Sequence, residues 1–348
     1  MNNEDFTICK QDKTDEFLSL FSNLVRINTK NSNKGDDINI EENIFHFLHF
    51  YERHKHNIDR KYIKRIIFSE LPSICFENHF ENPTLVAEVL HSIHELTPTE
   101  TPNIVLFLTV LCLRYRALPL KTIIKRNEMR KASFTAVTYF LHYAFKRRLM
   151  FRGRKPTEMI TYTNPLLFSR LLFYSDSTNL LSLLQFGLRF EFSEKYSFQI
   201  HPIFLCAAEL LSWFMEHELG LCNAEDPQEN FLQIDYREKL STFCRNLKIL
   251  LLSTSNPHKI TSEMAYVLMK CRNFANFAEL KLYLDTFLPN VDFQIYQPSN
   301  LQHMCRNTIR KRLDEKWCLP YGVWKLSLPR KLASYLNFNV DEKGNEII

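Results

Sequence analysis

Apolar positions recur along most of the chain at three- and four-residue steps, the spacing that lines one face of an α-helix. The first such stretch is TDEFLSLFSNLVRI, with Phe17, Leu20, Phe21 and Leu24 at i, i+3, i+4 and i+7 and Thr14 or Asp15 placed to cap its start. Polar residues 1–13 precede it and the more polar run 28–37 follows it. The second, IEENIFHFLHFYERHK, puts Ile44, Phe47, Leu48 and Tyr51 on one face. Beyond it, prolines such as Pro83, Pro156 and Pro257 break the pattern. Many stand at the first turn of a new apolar stretch, where a missing N–H costs nothing. Helices of ordinary length between such breaks predict an all-α chain of roughly fourteen helices. Strand-like alternation occurs once, over Leu188 to Ile200, and predicts a hairpin or extended loop there.

Composition sharpens this picture. Six glycines in 348 residues are too few for folds that depend on many φ > 0 turns. That weighs against a β-sandwich, a glycine-fingerprint nucleotide fold and a regular ankyrin array. Twenty-nine phenylalanines instead suit packed helices. The length predicts about two domains. Nine scattered cysteines without a CxxC pair predict a reducing compartment, cytoplasmic or nuclear. The polar start carries no signal-peptide pattern, and the apolar run Ile104 to Leu113 is too short to span a membrane, which needs about 20 residues. A net charge of +5 gives little support for nucleic-acid binding.

Chemistry-bearing clusters are weak through most of the chain. His46 and His49 share a helix face, with His54 and His56 beyond, but no further ligand completes a metal set. His217-Glu218 lacks the second histidine of a zinc-protease motif, because position 221 is Leu. His201 and His258 have no local partner. No catalytic residue, metal site or cofactor is therefore expected. Lys146-Arg147-Arg148 with Arg152, Arg154 and Lys155 form the strongest basic run. Phosphate binding and nuclear import are the specific readings of that run; a solvated helix end is the plain one, and it is preferred.

Two segments carry more information. In TNPLLFSRLLFYSDSTNLLSLLQFGL, Asn164-Pro165-Leu166-Leu167 precedes Leu183-Leu184-Gln185-Phe186-Gly187. This is similar to an ankyrin repeat, with Pro165 opening a first helix, paired Leu burying a second, and Gly187 ending it at φ > 0. Asn for Thr, Leu for His and a spacing about two residues too long depart from the repeat. An ordinary helical hairpin is the alternative.

At the C-terminus, Ser299 can cap a helix with Gln302 at its third position. Leu301, Cys305, Ile309 and Leu313 then recur every four residues as an apolar stripe, and Arg306, Arg310, Lys311 and Arg312 are expected on the other faces. Pro320 opens a second helix, Leu326-Ser327-Leu328-Pro329 an extended turn, and Leu332, Tyr335 and Leu336 lie on a third helix. These residues resemble a SOCS box: Leu, Cys and an aliphatic residue at four-residue steps, a Leu-Pro-Leu-Pro element, a spaced Leu and a closing Tyr-Leu. Asn300 stands where the family has a small residue or Pro, and Ser327 replaces the first Pro.

With the ankyrin-like segment, the chain is similar to the ankyrin repeat and SOCS box family. The resemblance implies a degenerate ankyrin-like helical body with a C-terminal three-helix SOCS box. The expected organisation is a flexible segment 1–37 with one short helix, a body 38–297 with its repeat near 163–190, a SOCS box 298–340 and a tail 341–348. The implied function is that of a non-catalytic substrate receptor of a ubiquitin ligase. Leu301, Cys305, Ile309 and Leu313 would bind elongin C, itself paired with elongin B. Leu326, Ser327, Leu328, Pro329 and Leu332 would meet cullin-5 with its RING-box subunit. The body would hold a protein substrate, with neither nucleic acid nor membrane as partner. Restoring proline at Ser327 is expected to tighten the cullin contact, since proline would pre-set an extended backbone. The rival reading is a helical scaffold whose C-terminal hairpin packs on its own body, with Leu301 and Cys305 buried.

Overall fold

The computed structural model describes residues 3–31, 40–96, 107–108, 136–161, 177–190, 204, 207–212, 229–254, 257–272, 285 and 301–338. Among these the regular structure is helical, as the periodicity predicts, and the β-pairing is one isolated bridge, Phe151 with Arg154. The alternating stretch after Phe190, the N-terminal half of the ankyrin-like segment, most of the run from Ile104 and the His217 region lie outside the described residues. Among the described residues no helix is long and apolar enough to cross a membrane, and no three His, Cys, Asp or Glu gather to hold a metal. His46 and His49 are exposed, and His54 stacks on Phe50. Cys75 and Cys244 are buried, Cys305 is exposed, and all are free thiols.

The chain divides into two compact units, residues 1–108 with 139–156, and 109–138 with 157–348. In the first, α1 (Asn3–Asn31) lies on α2 (Ile40–His54). Phe17 and Phe21 meet Phe47 at ring-centroid distances of 4.9 and 5.7 Å, so the predicted faces are the ones that pack. The helix starts earlier than expected. Gln11 bonds to Asp15 and Lys13 pairs with Glu16, the i, i+3 and i, i+4 contacts that sustain a polar helical turn. Thr14 is therefore no cap. It is buried inside the helix, donating to the Lys10 carbonyl and accepting the Asp59 N–H at 3.0 Å.

Asp59 in turn caps α3 (Arg60–Arg65), which runs through a π-helical turn into α4 (Leu71–Glu77). Asn82 accepts from the N–H groups of Thr84 and Leu85 to start α5 (Pro83–Glu95), whose Pro stands at the first turn as predicted. Tyr139, in helix α6 (136–146), donates to the carbonyls of Phe80 (2.8 Å) and Cys75 (3.2 Å) at the end of α4.

The shortage of glycine is met by other residues at helix ends. Phe80 N–H bonds to Cys75 O while His79 sits at φ +50°. Leu149 bonds to Ala144 with Arg148 at +51°, and Cys318 to Leu313 with Trp317 at +56°. Each is a left-handed helix end of the kind glycine usually supplies. Among these described helix ends, Leu188 to Leu183 has glycine at that place, Gly187 at φ +98°.

In the second unit, α7 (Pro156–Thr161) is followed by α8 (Ser177–Gln185), α9 (Glu229–Leu252) and α10 (Pro257–Arg272). Leu183 and Leu184 of α8 are buried. The C-terminal helices α11 (Leu301–Glu315) and α12 (Arg330–Leu336), with the 3₁₀-helix Tyr321–Lys325 between them, belong to this unit.

A left-handed residue other than glycine costs roughly 1–2 kcal/mol, partly offset by the extra unfolded-state entropy that glycine brings. His79→Gly, at an exposed helix end, is therefore expected to stabilise the chain by about 0.5–1 kcal/mol. Chemical denaturation should show a raised midpoint; a lowered one contradicts the strained-end description.

Candidate functional site: the C-terminal helical segment

Helix α11 has two stripes. Leu301, Met304, Cys305 and Thr308 share one side, while His303, Arg306, Arg310 and Asp314 recur at i, i+3, i+7 and i+11 on the other. At 100° per residue, Leu301 and Arg310 point in opposite directions. The usual expectation is that the apolar stripe turns inward. Here it is the charged stripe that is buried. Arg306 is 0% and Arg310 3% exposed, whereas Leu301 is 72% exposed and Met304 47%. All four cations lie off the apolar stripe as expected; Arg306 and Arg310 are buried there, while Lys311 and Arg312 are exposed.

The reason lies in what the arginines meet. Arg306 donates to the Leu252 carbonyl at the end of α9 (2.7 Å) and to His303 Nδ1 (2.9 Å). A guanidinium only donates, so His303 Nδ1 accepts, and its Nε2–H faces the Thr254 carbonyl (2.5 Å). Asn307 donates to the same carbonyl. One turn later, Arg310 donates through Nη1 to the Leu336 carbonyl (2.8 Å) and through Nη2 to the carbonyls of Leu184 and Gln185. The Phe338 ring lies 4.9 Å from the Arg306 guanidinium and 4.2 Å from that of Arg310, and Tyr335 lies 4.4 Å from Arg306. The last carbonyls of a helix lack intrahelical partners and carry partial negative charge. Cations there, with aromatic faces beside them, are stabilised in the absence of water. Burial pushes the Arg306 and Arg310 guanidiniums down to about 10 and about 9 respectively, so both keep their charge at neutral pH.

Asp314 completes the joint. It is buried and pairs with Arg189. Gly187 makes the approach possible, because a Cβ there would stand 2.7 Å from Asp314 Oδ1. Gly187 thus serves twice, as a φ > 0 helix end and as the clearance through which α11 meets α8.

The segment has its own small core of Leu319, Val323, Ala333 and Leu336. Ile309 and Leu313 pack against it and are half-buried, so the expected four-residue stripe divides. Leu301 and Cys305 stay in solvent, joined by Met304, while Ile309 and Leu313 turn partly inward. Gly322 sits so tightly that a Cβ would meet Cys318 Cβ at 2.6 Å, which seats the 3₁₀-helix against the end of α11. Leu326, Ser327, Leu328, Pro329 and Leu332 are all exposed. Ser299 and Asn300 lie outside the described residues. Residues 297–337 match the family model of the SOCS box.

The chain contains a SOCS box. No curated protein and no solved structure shows a match to the chain. A SOCS box in general is an adaptor element for elongins B and C within cullin–RING ubiquitin ligases, and proteins that carry one are generally adaptors rather than catalysts.

Within this SOCS box, sequence reasoning missed Met304, Tyr321 and Trp324 as exposed apolar groups, and His303, Arg306, Arg310 and Asp314 as buried ones. The second set left a signal, since its polar spacing is as regular as that of the apolar stripe. The premise of the Ser327 expectation, an extended backbone, does not hold. Its φ is +52°, in the left-handed region, whereas proline holds φ near −65°. Proline at this place cannot pre-set the observed backbone; it would rebuild the turn.

Arg310 reaches two helix ends in different directions, which a lysine ammonium on one stem cannot do. Arg310→Lys is expected to destabilise the SOCS box by about 2–3 kcal/mol, leaving buried carbonyls unpaired. Hydrogen exchange of the full chain should show faster exchange across 301–338, with little change in the first unit. Unaltered exchange at 301–338 contradicts the joint.

Proposed function

We propose that the chain is a substrate-recognition subunit of an elongin B/C–cullin-5 RING ubiquitin ligase. It acts without bond chemistry of its own. Leu301 and Cys305, with Met304, engage elongin C, and Ile309 and Leu313 support that surface from the core of the SOCS box. The exposed Leu326–Leu332 turn meets cullin-5, and the helical body holds a protein substrate. A substrate lysine held near a charged conjugating enzyme reacts at a high effective concentration. The ankyrin-like reading of the body rests on the α8 end at Gly187.

The observation that carries this reading is the outward apolar stripe. Of ten exposed large apolar side chains among the described residues, seven (Leu301, Met304, Tyr321, Trp324, Leu326, Leu328 and Leu332) belong to the SOCS box. Such concentration marks a partner surface rather than ordinary surface chemistry. The scaffold reading requires Leu301 and Cys305 to pack on the chain's own helices, and both are exposed.

Because Leu301 and Cys305 are exposed, polar substitution there leaves the fold intact. Leu301→Asp with Cys305→Asp is expected to cost about 2 kcal/mol or more in elongin affinity, a drop of roughly thirtyfold. Pull-down of elongins B and C should fail while the circular dichroism is unchanged. Cys305→Ala should retain most binding, since the thiol acts as a small apolar group. Full recovery of elongins by the double variant contradicts the assignment.

At the turn, Ser327→Gly keeps the left-handed backbone and should preserve cullin-5 binding by the elongin-bound chain. Ser327→Pro should weaken it several-fold. Titration of cullin-5 checks this, and tighter binding by the proline variant contradicts the role given to the turn.

A further inference from the structure

In the first unit, α6 ends in the basic run. Lys146, Arg147 and Arg148 are exposed, and Arg148 reverses the chain at φ +51°. Three residues later, Phe151 and Arg154 exchange both backbone hydrogen bonds, at 2.8 and 3.0 Å. Between them Arg152 and Gly153 stand at φ +51° and +73°, a two-residue hairpin turn of type I′. Leu149 and Phe151 are buried, Phe151 with its ring 5.3 Å from His91 and 4.8 Å from His94 of α5. The backbone is thus anchored from below at alternate residues, and the arginines are held at fixed places above it.

Residues 146–155 hold six cations and no carboxylate. Arg147, Arg148 and Arg152 make no ion pair among the described residues. Like charges held this closely repel one another, and an anion arriving from solution relieves that repulsion. Guanidiniums offer paired N–H donors that fit carboxylate and phosphoryl oxygens. Two of the arginines occupy left-handed positions that glycine would fill with less strain. We infer that this loop docks an anionic peptide segment, bearing carboxylates or phosphoryl groups, of the protein substrate. The inference rests on the substrate-receptor reading above. Nucleic acid fits less well. The net charge is modest, and the exposed large apolar side chain here is Met150, which offers no aromatic platform for a base.

The test is fluorescence anisotropy of the full chain with a labelled Asp/Ser-rich peptide, its phosphoserine form, a Lys/Ser-rich control and a single-stranded RNA. Both anionic peptides should bind, more weakly as salt rises, and the control should not. The triple variant Arg147→Gln, Arg148→Gln, Arg152→Gln should bind them about tenfold more weakly or worse, with unchanged circular dichroism and unchanged elongin capture. Equal affinity in the triple variant overturns the inference, as does failure of both anionic peptides or tighter binding of RNA. Peptide binding by a chain that captures no elongins keeps the docking loop and removes the ligase reading.

Discussion

Two buried guanidiniums decide which way the C-terminal helix faces. Burying a charge is costly unless it finds hydrogen bonds, and Arg306 and Arg310 find theirs at the open ends of other helices. Turning α11 by half a revolution would bury Leu301, Met304 and Cys305, a gain of roughly 4–9 kcal/mol at ordinary transfer values. It would also strand the carbonyls of Leu184, Gln185, Leu252, Thr254 and Leu336, at roughly 5–15 kcal/mol for groups left unpaired out of water. The inward arginines are favoured, and the apolar stripe is left outside as a consequence.

That arrangement ties the SOCS box to its own unit while leaving one face free. The same helix joins α8 and α9 through its charged side and presents Leu301 and Cys305 through the other. Gly187 is the place where sequence, fold and function meet most closely. Its φ closes α8, and its missing side chain admits Asp314. Elsewhere His79, Arg148 and Trp317 take the left-handed places themselves, so few glycines suffice for many helix ends.

Much of this was legible in the sequence. The faces of α1 and α2, Pro83 at the start of α5 and the helix end at Gly187 follow from periodicity and from the chemistry of Pro and Gly. The SOCS box was readable from Leu301, Cys305, Ile309 and the Leu-Ser-Leu-Pro turn. What sequence reasoning missed was the burial of the opposite, charged face of α11. Amphipathic reasoning leaves a charged stripe to solvent, and this holds only while that face has no better use. His303, Arg306, Arg310 and Asp314 have one, but their partners are backbone carbonyls far away in the chain, and a carbonyl leaves no trace in the amino-acid code. The backbone sign at Ser327 was hidden for a similar reason, since serine is compatible with ordinary and left-handed turns alike.

The central claim is that α11 offers its apolar stripe to a partner while its charged stripe stays buried. Alkylation of Cys305, followed by mass spectrometry of the peptide that contains it, reads this directly. In the full chain alone, Cys305 should react quickly while the buried Cys75 and Cys244 stay protected. Addition of elongins B and C should then shield Cys305 and leave the other two unchanged. A Cys305 that is protected in the chain alone, or that reacts as quickly with elongins present as without them, contradicts the account.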